Sequence, residues 1–290
     1  MSETAAETLI RPETSELDLH RVLRFNPDGS GGLIATIPDS LSNGPQSGPR
    51  SRGAPFGGHM AALAIKAARD GLGVESPLRT LSVQYLSGAR FDSDVRFVAE
   101  SLRGGRSTHF VEVRAGQGER TAIVAGLTFG ADGAGPRLRP IETVVPVKPL
   151  DAIESVELNP GFAPWFTQWV EYRFAEDFLG FGNHEHPRVR VWMRLKDGKP
   201  LDELRLAFLL DAVFPNYFMV LGPTISTSVD LRYDLFHTLT PETSPNGWAY
   251  FEFSSHDVSD GWAVEDGIAL APDGTPLAAA RQLRKMITRR

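Results

Sequence analysis

Asp211 is the residue whose setting most demands a chemical explanation. It sits near the end of Leu204-Arg-Leu-Ala-Phe-Leu-Leu-Asp211-Ala-Val-Phe214, closed by Pro215. Apolar residues occupy nearly every side of a helix over 204–214, about three turns long, so the rest of its domain should wrap it. An ionised carboxylate is costly to bury alone, so Asp211 must be neutral, solvated or hydrogen-bonded. Two readings follow: a satisfied structural Asp near a helix end, or a proton acceptor facing a pocket. This stretch by itself favours the first.

Other chemistry-bearing residues are weaker candidates. His59 opens an apolar helix, where a capping or packed role is commoner than contact with substrate. His184-Glu185-His186 offers metal ligands, but without an obvious third set it reads as a solvated turn. Gly116-Gln-Gly118 and Gly180-Phe-Gly182 lack the third glycine of a dinucleotide loop. No Gly-x-Ser-x-Gly elbow is present, which argues against a serine hydrolase. The absence of cysteine removes thiolate nucleophiles, cysteine zinc sites, iron–sulfur clusters and disulfides. Arg281, Arg284, Lys285, Arg289 and Arg290 form a basic end, read as a solvated terminus or as attraction for phosphates.

These residues must be positioned by a chain of 290 residues, long for one domain and comfortable for two. At 41% hydrophobic it can bury substantial cores, and its net charge of −6 gives no basic excess for nucleic acid. No stretch is apolar and long enough to span a membrane, and residues 1–17 read as a polar tail. A cytoplasmic location is expected.

Residues 20–25 and 32–37 read as strands around a turn, 39–55 as a loop, and 60–68 as an Ala-rich helix ending near Gly71. Four strand-like runs follow: 81–85, 95–102, 108–115 and 123–129. Residues 131–164, rich in Pro and Gly, read as a linker. The pattern then returns: strands at 168–174 and 189–195, the helix over 201–214, and strands at 224–236, 248–255, 262–269 and 276–284. Strands segregated from one helix indicate an α+β layout with an antiparallel sheet, present twice, in halves 18–130 and 165–290.

The motifs agree with this layout. Phe56-Gly57-Gly58-His59, Arg79-Thr-Leu-Ser-Val-Gln-Tyr-Leu86 and Glu100-Ser-Leu-Arg-Gly-Gly-Arg-Ser107 resemble the N-terminal hotdog of the acyl-CoA thioesterase II family. Trp192-Met-Arg-Leu-Lys-Asp-Gly-Lys-Pro200, Leu210-Asp211-Ala212, Ser228-Val-Asp-Leu231 and Asp273-Gly-Thr-Pro-Leu-Ala278 through Gln282 are similar to its C-terminal hotdog. The resemblance covers residues 18–288 and implies a double hotdog whose two helix-wrapped sheets form one continuous sheet.

It also implies hydrolysis of acyl-CoA by a water held by Asp211, Ser228 and Gln282, without metal or redox cofactor. Ser228 stands where the family more usually has Thr; Thr227, on the opposite strand face, is the second candidate for the hydroxyl. The residue types suit the task. Asp can accept a proton, Ser can position water, and the Gln amide can donate to an oxygen gaining charge. Gly58, with His59 beside it, opens the first helix and offers backbone N–H groups for substrate. The three polar groups are expected to meet beside a pocket lined from both halves. A non-catalytic acyl-binding or scaffold protein is the competing reading, and a hotdog dehydratase ranks below both. The five tryptophans, all at 165 or beyond, point to core and interface packing, and a homodimer or larger assembly is expected.

Overall fold

The computed structural model describes residues 18–136, 138 and 148–287. The expected tail, part of the expected linker, and Arg289 and Arg290 lie outside them. The chain opens with a short helix α1 (Leu19–Val22), followed by strands β1 (Asn26–Pro27) and β2 (Leu33–Thr36). Helix α2 (Gly57–Leu72) and strands β3 (Leu78–Tyr85), β4 (Asp94–Gly104), β5 (Thr108–Gln117) and β6 (Arg120–Gly130) complete the first half. The second repeats this order: β7 (Val170–Phe174), β8 (Arg188–Leu195), α3 (Glu203–Leu209), a short α4 (Phe218–Leu221), then β9 (Ser226–Leu235), β10 (Ala249–Ser259), β11 (Trp262–Leu270) and β12 (Pro276–Met286).

All twelve strands form one sheet in the order β1-β2-β4-β5-β6-β3-β9-β12-β11-β10-β8-β7, antiparallel throughout. The order is palindromic about the β3–β9 joint, where Ser82 pairs with Arg232. This is the expected double hotdog with a continuous sheet. Helix α2 packs across β3–β6 and against α3. Its small residues make that possible: Ala61, Ala62, Ala64, Ala67 and Ala68 are all fully buried. Gly73, at φ 63°, closes the helix in a left-handed turn with its N–H on the Arg69 carbonyl. Arg69 then forks onto Glu203 with two bonds of 2.8 Å, tying the end of α2 to the start of α3.

Two expectations fail. Residues 20–25 do not form a strand. The Asp18 side chain caps α1 by accepting from the His20 N–H at 3.0 Å, and Leu19 and Leu23, at helical i, i+4 spacing, are both buried. The helix expected over 201–214 is also shorter. Asp202 caps it, accepting from the Arg205 N–H at 2.8 Å, and it ends at Leu209. Beyond it the backbone tightens to i−3 bonds, Ala212 donating to the Leu209 carbonyl at 3.0 Å. Two buried tyrosines take carbonyls that a longer helix would use: Tyr233 donates to Ala207 at 3.0 Å and Tyr172 to Ala212 at 2.8 Å. Asp211 therefore sits in the turn after α3, not within the helix.

Candidate active site

The turn after α3 sets Asp211 against the start of α2. The Gly58 N–H donates to its carboxylate. Gly57 is the closer constraint, since a Cβ there would lie 2.6 Å from Asp211 Oδ2 and 3.1 Å from the Tyr85 hydroxyl. A Cβ on Gly58 would instead meet the Phe208 carbonyl at 2.5 Å, so this second glycine lets α2 and α3 touch. Tyr85 donates to the Gly57 carbonyl at 2.9 Å and fixes the first turn from below.

The sheet supplies the other groups. Gln282 of β12 pairs with Leu231 of β9 on one side and Glu265 of β11 on the other. Strict alternation from Leu231 would bring Thr227 to this face and turn Ser228 away. A bulge at Val229 shifts the register, so that Arg284 pairs with Ser228. One extra residue re-aims a side chain, and here it delivers the Ser228 hydroxyl to the Gln282 face. Gln282 Nε2 donates to Asp211 Oδ1 at 2.9 Å and lies 2.7 Å from Ser228 Oγ. The three residues named from sequence thus converge on one point. Thr227 is exposed, its hydroxyl bonded to the Ser228 carbonyl.

Two further residues complete the network. Arg284, taken for part of a basic terminus, lies in the site with its side chain mostly enclosed. It donates from Nη2 to Gln282 Oε1 at 2.6 Å and from Nε to Glu265 Oε2 at 2.5 Å. Its Nη1 is 3.4 Å from Ser228 Oγ, and Nη2 is 3.9 Å from Asp211 Oδ1. Glu265 is buried, and its Oε1 accepts from the Asn216 N–H and the Ser255 hydroxyl. The sequence signal was available in the i, i+2 spacing of Gln282 and Arg284, which puts both on one strand face.

Burial pushes the Asp211 carboxyl up to about 6, against the opposing pull of Arg284, Gln282 and the Gly58 N–H. A carboxylate so placed changes charge near neutrality, where a proton acceptor is useful. Beside it is a cavity of about 20 Å³, lined by Leu210, Val213, Phe214, Asn216, Leu231 and Phe253 together with Asp211, Glu265, Gln282 and Arg284. That is room for about one water. Its lining comes from residues 210–284 alone; the expected contribution of both halves reduces to the α2 turn behind Asp211.

His59 is elsewhere. It is fully enclosed, both ring nitrogens lack hydrogen-bond partners, and burial holds its imidazole neutral, down to about 3. His184 accepts from the Leu179 N–H in its loop. Among the described residues no cluster of His, Cys, Asp or Glu is placed to hold a metal ion, and no helix is long and apolar enough to cross a membrane.

Comparison with known families fits this geometry. A model described as the acyl-CoA thioesterase N-terminal domain matches residues 46–130. One described as the acyl-CoA thioesterase C-terminal domain matches residues 145–284. The chain belongs to the acyl-CoA thioesterase family. Its substrate class is accordingly acyl-CoA, and the enzyme is a thioester hydrolase. Solved structures resemble the thioesterase in fold along almost its whole length. A conserved protein of unknown function with a hot dog fold from Alicyclobacillus acidocaldarius is 22% identical, with 94% of this chain and 98% of that one covered and a TM-score of 0.80. The acyl-CoA thioesterase II TesB2 of Mycobacterium marinum is 16% identical, with 94% and 99% covered and a TM-score of 0.72. The dehydratase domain of PpsC from Mycobacterium tuberculosis, in complex with C12:1-CoA, also matches, at 14% identity, 92% and 99% coverage and a TM-score of 0.54. Fold alone therefore does not choose between hydrolysis and dehydration. No curated protein sequence matches the thioesterase significantly.

Proposed function

We propose that the thioesterase splits acyl-CoA into free acid and CoA by direct attack of a water held among Asp211, Ser228 and Gln282. The observation that carries this reading is the position of Gln282 Nε2, within reach of both the Asp211 carboxylate and the Ser228 hydroxyl beside a water-sized cavity. Asp211 takes a proton as the water oxygen bonds to the thioester carbon. The tetrahedral adduct then breaks its C–S bond, and Asp211 returns the proton to the departing thiolate. Both N–H groups of Gln282 are engaged by Asp211 and Ser228, so its part is to hold those oxygens in place. The oxygen gaining charge falls to the N-terminus of α2, whose first N–H groups have no acceptor within the helix and of which Gly58 already serves Asp211.

The same reading assigns the enzyme to lipid metabolism in the cytoplasm, as a homodimer or larger assembly. The acyl-binding scaffold is the weaker alternative, because a merely structural Asp gains nothing from a carboxyl held near neutrality. Asp211→Asn tests the choice. It should fold and lose about 10²- to 10⁴-fold in turnover, the usual worth of a general base. CoA release measured with short, medium, long and aromatic acyl-CoAs should show this loss for every substrate the native enzyme accepts. Native rates in the folded variant would sink the mechanism.

A further inference from the structure

Arg284 touches Gln282 and Glu265 directly and stands beside both Ser228 and Asp211. We propose that Arg284, anchored by Glu265, is a positioning residue for the hydrolysis: it fixes which end of the Gln282 amide faces Asp211 and Ser228, and it holds the Asp211 carboxylate charged. This inference rests on Asp211 being the proton acceptor.

The amide argument is geometric. The two ends of a glutamine amide are nearly alike in shape, and only their hydrogen-bond partners distinguish them. A guanidinium has donors and no acceptor, so it can face only the oxygen end. With Oε1 held by Arg284 at 2.6 Å, Nε2 must point at Asp211 and Ser228. A flipped amide would confront Arg284 with two more donors and leave Asp211 with the Gly58 N–H but no side-chain donor. Arg284 is itself braced: Glu265 takes its Nε, while Asn216 and Ser255 occupy the second Glu265 oxygen.

The charge argument concerns how one cation is shared. Asp211 and Glu265 are both buried, and Arg284 is closer to Glu265, at 2.5 Å, than to Asp211, at 3.9 Å. The titratable groups facing Asp211 are Arg284 from β12, Glu265 from β11, Tyr85 from β3 and Tyr233 from β9; α2 presents the Gly58 N–H. Arg284 is the one cation among them. By keeping most of the guanidinium, Glu265 leaves Asp211 enough support to ionise and enough basicity to take a proton.

The test uses full-length enzyme and compares Arg284→Met, Arg284→Lys and Glu265→Gln. For each, kcat and KM are measured against pH with an acyl-CoA that the native enzyme hydrolyses, and the Asp211 carboxyl is titrated by carbon NMR on labelled protein. Arg284→Met should move the acidic limb and the Asp211 titration up by roughly 1 to 3 pH units, because the nearest cation is gone. Turnover at neutral pH should fall about tenfold or more while KM changes less than about threefold, as expected when orientation rather than binding is lost. Glu265→Gln should move both titrations down, because Arg284 then turns wholly to Asp211. Arg284→Lys should restore the titration but not the turnover, since an ammonium cannot hold Gln282 and Glu265 together.

Damage to packing alone would not shift the limb in opposite directions. If Arg284→Met fails to fold around an unpaired Glu265, the double variant Glu265→Gln/Arg284→Met removes both charges and should still titrate above the native enzyme. A folded variant lacking Arg284, with native titration and native turnover, overturns the inference. Asp211→Asn serves as the control. If that variant is inactive while Arg284 variants behave as native, only the role of Arg284 is wrong; if it is fully active, the reading of the site falls as well.

Discussion

At the scale of single residues, Asp211 combines two demands that oppose one another. Its carboxyl, near 6, must be ionised to accept a proton, so kcat/KM should rise through a limb with its midpoint near pH 6 and be lost below it. A pH profile flat down to pH 4 would show that no group of this kind limits the reaction. The same displacement weakens the fold. A carboxyl whose pKa is raised on folding binds its proton more tightly when native, so its stabilising effect is complete below the unfolded value of 3.8 and is lost as pH climbs through about 6. The loss amounts to about 3 kcal/mol. Asp211→Asn should thus be more stable than the native enzyme at pH 8 and gain nothing at pH 4, which thermal unfolding at the two pH values would reveal. The carboxylate was legible in the sequence because it is the single acidic residue in an apolar run. Arg284 was passed over despite its i, i+2 spacing from Gln282, because a charged residue near a chain end reads as solvated until its neighbours on the sheet are known.

Short elements aim these residues. The Val229 bulge delivers Ser228, and its effect can be separated from the hydroxyl itself. Ser228→Ala should cost about tenfold in turnover, the worth of one hydrogen bond, and Ser228→Thr should be tolerated. Deleting Val229 should restore simple alternation, turn Ser228 from the site and cost more than Ser228→Ala; an equal or smaller loss would mean that the bulge does not aim it. At the other wall, Gly57→Ala puts a methyl where Asp211 Oδ2 now stands 2.6 Å away. Displacing the carboxylate by about an ångström should lower turnover up to 10²-fold with the fold retained, as circular dichroism would check. Strand and helix order were readable from periodicity, whereas the bulge and the early end of α3 were not. Both depend on partners distant in sequence: β12 sets the register of β9, and Tyr172 and Tyr233 take the carbonyls of the turn.

The whole molecule is a single sheet joined at β3–β9, and the site needs both sides of that joint. Gly57 and Gly58 come from the first half; Asp211, Ser228, Gln282 and Arg284 come from the second. Residues 148–290 produced alone should be inactive and prone to aggregate, because β9 would lose β3 and expose a long hydrogen-bonding edge on that side. Co-production with residues 1–147 should restore activity if the joint is the missing part, and failure to restore it would count against that account. The two natural ends of the sheet are different. β1 is two residues long and contains Pro27, which has no N–H to offer, while the outer side of β7 is met by Val156, whose N–H bonds the Tyr172 carbonyl at 2.8 Å. At each end, then, a neighbour meets a short or partly occupied ladder among the described residues, which disfavours polymerisation strand upon strand. Self-association should instead use side chains on its surfaces, such as the exposed Phe178, Leu179 and Leu221, and so should respond to substitutions there while leaving strand pairing untouched.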